Sequence, residues 1–262
     1  MVYTYAICNR KGGCGKSASV QSFSNWLFLQ GYKTVLIDAD NQANTSYTMG
    51  YDTEANSDIV TLFDVLGDSA TMKEAIQPVK RHEMDLRWSI VPAEEKLSVY
   101  DAGIMPIKKT LADALKTVSK EFDYCVIDTP LTKGLITTSA LIVADEVIIP
   151  CVAEIYSVQG AQSIAKSILS AKKYNPKLKV AGILISRHNE RLSIAKDIAD
   201  MISATASMIG TKVFNTKIRE GVAVREANAY RMGLFDYDNK KRSVASIDYD
   251  KFFKDELLKG GK

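Results

Sequence analysis

The sequence lacks any uninterrupted apolar run approaching the roughly 18 residues that a membrane-spanning helix requires, which excludes an integral-membrane chain. Proline and glycine are modest, at 6 and 15 of 262 residues, and no proline-rich or low-complexity stretch divides the chain. Collagen-like and disordered classes are therefore excluded, and no internal repeat is detectable. There are only 4 cysteines, Cys8, Cys14, Cys125 and Cys151, none at C-x-x-C spacing. They read as buried, reduced fillers of a chain long enough to form its core without disulfides, with Cys14 the one to examine. The 2 histidines, His82 and His188, lie far apart and have no cysteine or carboxylate at ligand spacing, which argues against a zinc site. A G-x-G-x-x-G fingerprint is absent, which argues against a dinucleotide-dependent dehydrogenase. The chain opens Met1-Val2-Tyr3-Thr4-Tyr5-Ala6-Ile7-Cys8 and meets basic residues only at Arg10 and Lys11. That order is the reverse of a secretory signal, so a cytoplasmic protein is expected.

Hydrophobic residues make up 46% of the chain and charged residues 25%, the balance of a soluble globular protein. Short apolar runs without polar alternation recur at Tyr3 to Cys8, Thr34 to Ile37, Tyr124 to Ile127, Val147 to Ile149 and Val180 to Ile185. Strands apolar on both faces belong in a parallel sheet covered by helices on each side. Helical periodicity fills the gaps at Lys16 to Gln30, which stops at Gly31, and at Ile107 to Val118 and Ser193 to Met208. The alternation predicts an α/β fold, a doubly wound and mostly parallel sheet with helices on both faces, in a single domain over 1–262. The less regular stretch 49–86, with helical patterns at Ile59 to Leu66 and Thr71 to Ile76, is expected to be a helical excursion over one face. Trp26 and Trp88 read as packing residues.

Between the first apolar run and the first helix stands Asn9-Arg10-Lys11-Gly12-Gly13-Cys14-Gly15-Lys16-Ser17. Glycines there let backbone N–H groups converge on phosphate oxygens, and the helix N-terminus adds partial positive charge. Lys16 is placed to reach β and γ phosphates, and the Ser17 hydroxyl to ligate Mg²⁺. The strict G-x-x-x-x-G-K-[ST] pattern fails because position 10 is arginine, which leaves K-G-G-x-G-K-S. Lys11 is then a second lysine without a role in an ordinary single-chain phosphate loop.

At these residues the chain resembles the ParA/MinD superfamily of deviant Walker A ATPases, most of all the small ParA-type, Soj-like partition ATPases lacking an N-terminal helix-turn-helix. The resemblance extends through Leu36-Ile37-Asp38-Ala39-Asp40-Asn41-Gln42-Ala43-Asn44, Tyr124 to Pro130, Val222 to Asn228 and Asp248-Tyr249. It implies a P-loop ATPase using ATP and Mg²⁺, with Lys11, Gly12, Gly13, Cys14, Gly15, Lys16, Ser17 and Ala18 around the nucleotide. Lys11 would reach across a homodimer to the partner's sandwiched ATP. Asp40 matches the family's second D-x-D carboxylate, which orients or activates the attacking water, although Asn41 replaces the family's proline. Asp128 matches the Walker B aspartate, so the implied metal site is Ser17, Asp128 and Asp40, directly or through water. Asp38 reads equally as a strand cap. Arg187, Ile218 and Arg219 fall where relatives border the adenine. Lysines beside Cys14 make an electropositive setting that would lower its thiol pKa, against the plainer reading of a small side chain in a backbone cradle.

Charge is unevenly distributed. Residues 166–262 carry 20 Lys and Arg against 11 Asp and Glu, whereas 1–100 and 101–165 are each acidic by 3. A basic region on an acidic protein suits phosphate backbone or anionic lipid, and solvated helix faces are the plainer reading. Among relatives, arginines after the sixth and seventh strands bind DNA non-specifically. Here the matching blocks are altered, so Arg191 or Arg187, then Arg219 and Arg225, share that expectation with Lys166, Lys172, Lys173 and Lys217. The resemblance implies a partition ATPase for plasmid or chromosome segregation, nucleoid-associated in the cytoplasm. Its ATP dimer binds non-specific DNA and is released when a ParB-like, DNA-bound adaptor stimulates hydrolysis. The alternative is a MinD-like ATPase cycling on the membrane, which needs a C-terminal amphipathic helix, yet only Phe252, Phe253, Leu257 and Leu258 are available. No stable membrane association is expected. An iron–sulfur relative is disfavoured because Thr129 to Leu135 holds no cysteine.

Overall fold

A computed structural model describes residues 1–82, 84–189 and 196–258. In chain order the N-terminal elements are β1 (Tyr3–Ile7), α1 (Lys16–Leu29), β2 (Thr34–Asp38), α2 (Asn44–Thr48), α3 (Leu62–Leu66), α4 (Met72–Ala75) and β3 (Gln77–Pro78). There follow β4 (Trp88–Val91), α5 (Leu97–Asp101), α6 (Leu111–Val118), β5 (Tyr124–Asp128), α7 (Leu135–Val143) and β6 (Glu146–Cys151). The C-terminal part holds α8 (Ile155–Ala171), β7 (Lys179–Ile185), α9 (Lys196–Met208), α10 (Ala223–Ala229), α11 (Leu234–Tyr237) and α12 (Val244–Phe252). The expected helix from Ser193 thus begins at Lys196 among the described residues. The strands form a 7-stranded sheet in the order β3-β4-β2-β5-β1-β6-β7, parallel except for the β3–β4 pair.

Apolar strands without polar alternation have to be buried on both faces, and the period of two divides their side chains between two cores. Tyr5, Ile7, Leu36, Val126, Ile148 and Leu184 pack with Val20, Phe23 and Leu27 of α1, Phe235 of α11, and Tyr249 and Phe252 of α12. Their alternates Val35, Ile37, Cys125 and Ile127 face α3, α4, α6 and α7. On the same side Ala6, Cys8, Val147, Ile149, Ile183 and Ile185 face α8 and α9. Phe253 closes the first core, its ring centroid 4.8 Å from Phe23 and 5.4 Å from Tyr249. The four apolar residues weighed as a membrane-facing stripe therefore pack inward, with Leu257 and Leu258 against the same core.

Two strands depart from expectation. Segment 49–86 does contain helical turns, but it also supplies β3, whose Gln77 and Pro78 pair antiparallel with Ile90 and Ser89. Trp88-Ser89-Ile90-Val91 forms β4, which the sequence conceals because the run is short and carries a polar residue. Every residue of β4 is buried. Trp88 stacks on Phe28 at 5.5 Å between centroids and is fully enclosed. Trp88→Ala should lower unfolding stability by about 3–5 kcal/mol, the range for truncating a buried aromatic; urea denaturation followed by circular dichroism would check this.

Candidate active site

The strands place their C-terminal ends along one edge, where the turn between β1 and α1 rises over the ends of β2 and β5. Register fixes this arrangement: Ile7 and Asp38 both lie opposite Asp128. Gly13 and Gly15 have φ of +74° and +81°, the left-handed region that side chains with a Cβ rarely adopt. A Cβ on Gly15 would also stand 3.2 Å from the Cβ of Ser186, whose hydroxyl donates to the Cys14 carbonyl at 2.6 Å. Asn9 anchors the start of the turn by donating to the Pro150 carbonyl at 2.6 Å, and it accepts from the Lys11 N–H at 3.1 Å.

Lys16, the first residue of α1, is only 6% exposed. Its ammonium lies 3.1 Å from Asp128 and 3.4 Å from Asp40. Burial works to lower its pKa, but the two carboxylates outweigh burial and hold it above the ordinary lysine value. Burial likewise raises the pKa of Asp40, opposed by Lys16. The second oxygen of Asp128 accepts from Thr45 at 2.8 Å, and the Thr45 hydroxyl accepts from Gln21 at 3.1 Å. Asp128 stands behind Lys16, at 1% exposure, rather than on the open wall. Asp38 has the strand-end structural geometry: it accepts from the Ser46 N–H and hydroxyl and from the Asp40 N–H. Its burial and the nearby Asp128 push its pKa up to about 7.

A cleft of about 630 Å³ opens above these groups, and the floor is the turn from Lys11 to Ala18, with Ser17 within it. Asp40, Leu131, Arg187, Ile218, Arg219, Val224, Arg225 and Tyr249 are among its other lining residues. Arg187 donates to the Gly13 carbonyl at 3.2 Å and pairs with Glu220 at 2.9 Å. Arg219 forms a forked pair with Asp248, at 2.9 and 2.7 Å. Lys11 stands at the rim, its ammonium 5.9 Å from the centre of the Tyr156 ring.

The basic candidates do not gather in one place. Arg219 and Arg225 border the cleft and Lys217 is exposed next to Ile218. Lys166 is exposed on α8, with Lys172 and Lys173 beyond its C-terminal end, about 25 Å from its start by helix geometry. Arg191 lies outside the described residues. Cys14 fits the plainer reading of a small side chain in the backbone cradle: it is 1% exposed, and burial raises its pKa despite the opposing pull of Lys16. Thr45, Gln21 and Ser186 were not singled out in the sequence, since a hydroxyl or amide without a motif gives no signal until the fold brings it to the site.

Backbone amides that converge at a helix start suit phosphate oxygens, and the Ser17 hydroxyl with the two aspartates is a hard-oxygen donor set that fits Mg²⁺. Among the described residues there is no group of three or more His, Cys, Asp or Glu side chains that could hold a metal ion. No helix of the described residues is long and apolar enough to cross a membrane. Fold and site together define a P-loop nucleotide-hydrolase of the deviant Walker A type. A family model for the AAA domain matches residues 2–180. The chain belongs to that family and is a Soj-like ATPase of the ParA/MinD superfamily.

It is similar to the chromosome-partitioning ATPase Soj of Treponema pallidum, at 26% identity covering 99% of this chain and 98% of the relative. In fold it matches an ATP complex of Cyanothece McdA, with TM-score 0.79 and 22% identity over 96% of this chain and 95% of that one. It also matches the septum site-determining protein MinD of Pyrococcus horikoshii bound to Mg-ADP, with TM-score 0.73 and 23% identity over 96% and 94%.

All four cysteines are buried, and burial raises the pKa of each. At pH 7.5 a thiol reagent should therefore label essentially none of them in the native chain and all of them after denaturation. Stoichiometric labelling of Cys14 in the folded protein would restore the reactive-thiol reading.

Proposed function

We propose that this protein is a DNA-partition ATPase whose ATP-bound homodimer binds DNA without sequence preference and is released by hydrolysis that a ParB-like, DNA-bound adaptor stimulates. The observation that carries this reading is the division of labour between two lysines. Lys16 is buried against Asp128 and Asp40, whereas Lys11, four residues before Gly15, stands free of that cluster at the rim. One ammonium suits the nucleotide of its own subunit and the other suits the nucleotide of a partner. The partition role of the Soj relative supports the cellular assignment.

In this reading the N–H groups of Gly12 to Ser17 cradle the ATP phosphates, and Lys16 leaves its carboxylate pairs to meet the β and γ oxygens. Ser17, with Asp128 and Asp40 directly or through water, would hold Mg²⁺, which when bound neutralises charge that builds on the phosphates. Asp40, anchored through its own oxygen to the Gln42 N–H at 3.1 Å, orients the attacking water. Thr45 and Gln21 keep the Asp128 carboxylate turned toward Lys16. Arg187, Ile218 and Arg219 border the adenine; the Asp248 pair that occupies Arg219 favours this over a DNA contact for that residue. DNA contacts then fall to Lys166, Lys172, Lys173, Lys217 and Arg225, together with Arg191. The MinD-like alternative is weakened by the inward packing of Phe252 and Phe253.

Lys16→Ala should abolish ATP binding, whereas Lys11→Ala should bind ATP but fail to dimerise or turn it over. Nucleotide affinity and chromatographic size with ATP, measured for both variants, separate these roles. Wild-type behaviour of Lys11→Ala would end the cross-subunit assignment.

Duplex DNA binding should require ATP, ignore sequence and weaken with salt. If a dimer neutralises roughly 4 to 6 phosphates, log K should fall against log[salt] with a slope of about −4 to −5. Cosedimentation with DNA, beside the same run with liposomes, tests the proposal. Equal DNA binding with and without ATP, or stronger liposome binding, would defeat it.

A further inference from the structure

Arg10 occupies the position at which an ordinary phosphate loop has its first glycine, and the structure gives that exchange a destination. Its guanidinium lies along α8, donating to the Ser163 carbonyl at 3.0 Å, the Ser163 hydroxyl at 2.5 Å and the Ser167 hydroxyl at 2.6 Å. The two serines are one helical turn apart, so a planar fork can meet both. The neighbours of Arg10 are docked on the same helix. A Cβ on Gly160 would stand 2.4 Å from the Asn9 side-chain oxygen and 3.1 Å from the Lys11 nitrogen, and Lys11 itself lies over Tyr156. Positions 156, 160, 163 and 167 are spaced by 4, 3 and 4 residues, one continuous stripe of α8.

We infer that Arg10 is a positioning residue that registers the start of the phosphate turn against α8 and thereby fixes where Lys11 stands. This rests on the cross-subunit role proposed for Lys11. The remainder of the turn has separate anchors: Ser186 holds the Cys14 carbonyl, and Asp128 and Asp40 hold Lys16. Removing the guanidinium should therefore disturb Lys11 while sparing the cradle. A generally destabilised turn would instead lose nucleotide binding together with turnover.

The test compares Arg10→Ala, Gly160→Ala, Lys11→Ala and the Arg10→Ala/Lys11→Ala pair with wild type for ATP affinity, KM, kcat, chromatographic size with ATP and thermal unfolding. Gly160→Ala keeps the guanidinium but forces the turn away from α8, so it probes the same docking if Arg10→Ala folds poorly. Arg10→Ala and Gly160→Ala should lower kcat on the order of 10- to 100-fold with KM and affinity within about twofold, the signature of a misplaced group with an intact binding site. They should also impair ATP-dependent dimerisation, and the paired substitution should be no worse than Lys11→Ala alone. Wild-type turnover in both docking variants beside an inactive Lys11→Ala would overturn the inference and leave the proposed function standing. Loss of affinity in parallel with kcat would overturn it too. A silent Lys11→Ala would defeat the cross-subunit role, and the positioning role with it.

Discussion

The structure depends on one buried cation. Lys16 carries its charge into a site almost closed to water, and an isolated ammonium there would be strongly disfavoured. Asp128 and Asp40 compensate it, and both stand where they do because parallel strands end in register at one edge. The pairing joins three chain segments: the first turn of α1, the end of β5 and the loop after β2. Removing one partner of such a group leaves a buried charge without compensation, which is more disruptive than removing both.

Asp128 and the neighbouring Asp38 are themselves held by polar groups of α2. Thr45 and Ser46 are adjacent residues that serve different aspartates, Thr45 reaching Asp128 and Ser46 reaching Asp38. Ser46 also accepts from the Ala93 N–H at 2.8 Å, which ties the end of β4 into the same network. The loop carrying Asp40 is thus braced at both ends: by Asp38 in the strand, and by a short helix whose side chains are fully buried at Thr45 and Ser46. Because Asp38 is enclosed near Asp128, it is driven toward its neutral form and fits a structural part better than a catalytic one.

Much of this was legible from residues alone where physics acts locally. Doubly apolar strand runs announced a covered parallel sheet, and glycines before Gly15-Lys16-Ser17 announced a phosphate cradle, since both depend on neighbouring residues. The antiparallel β3–β4 pair was illegible because its pairing joins Gln77 to Ile90 without a compositional mark. Cys14 kept two readings open for a related reason: adjacent lysines are visible in sequence, whereas the burial that outweighs them is not.

The sequence by itself determined the sheet class, the phosphate-binding turn, the positions of Asp40 and Asp128, and the basic excess of the last third. Hydrophobic period, glycine geometry and charge are properties of short stretches, so no folding was needed to read them. Only the tertiary structure decided which partners those residues have. It set Lys16 between two aspartates, gave Arg219 to Asp248, turned Phe252 and Phe253 inward, and laid Arg10 along α8. Each of these contacts joins residues distant in the chain, and electrostatic and packing energies fall off over a few ångströms of space with no regard for separation in sequence.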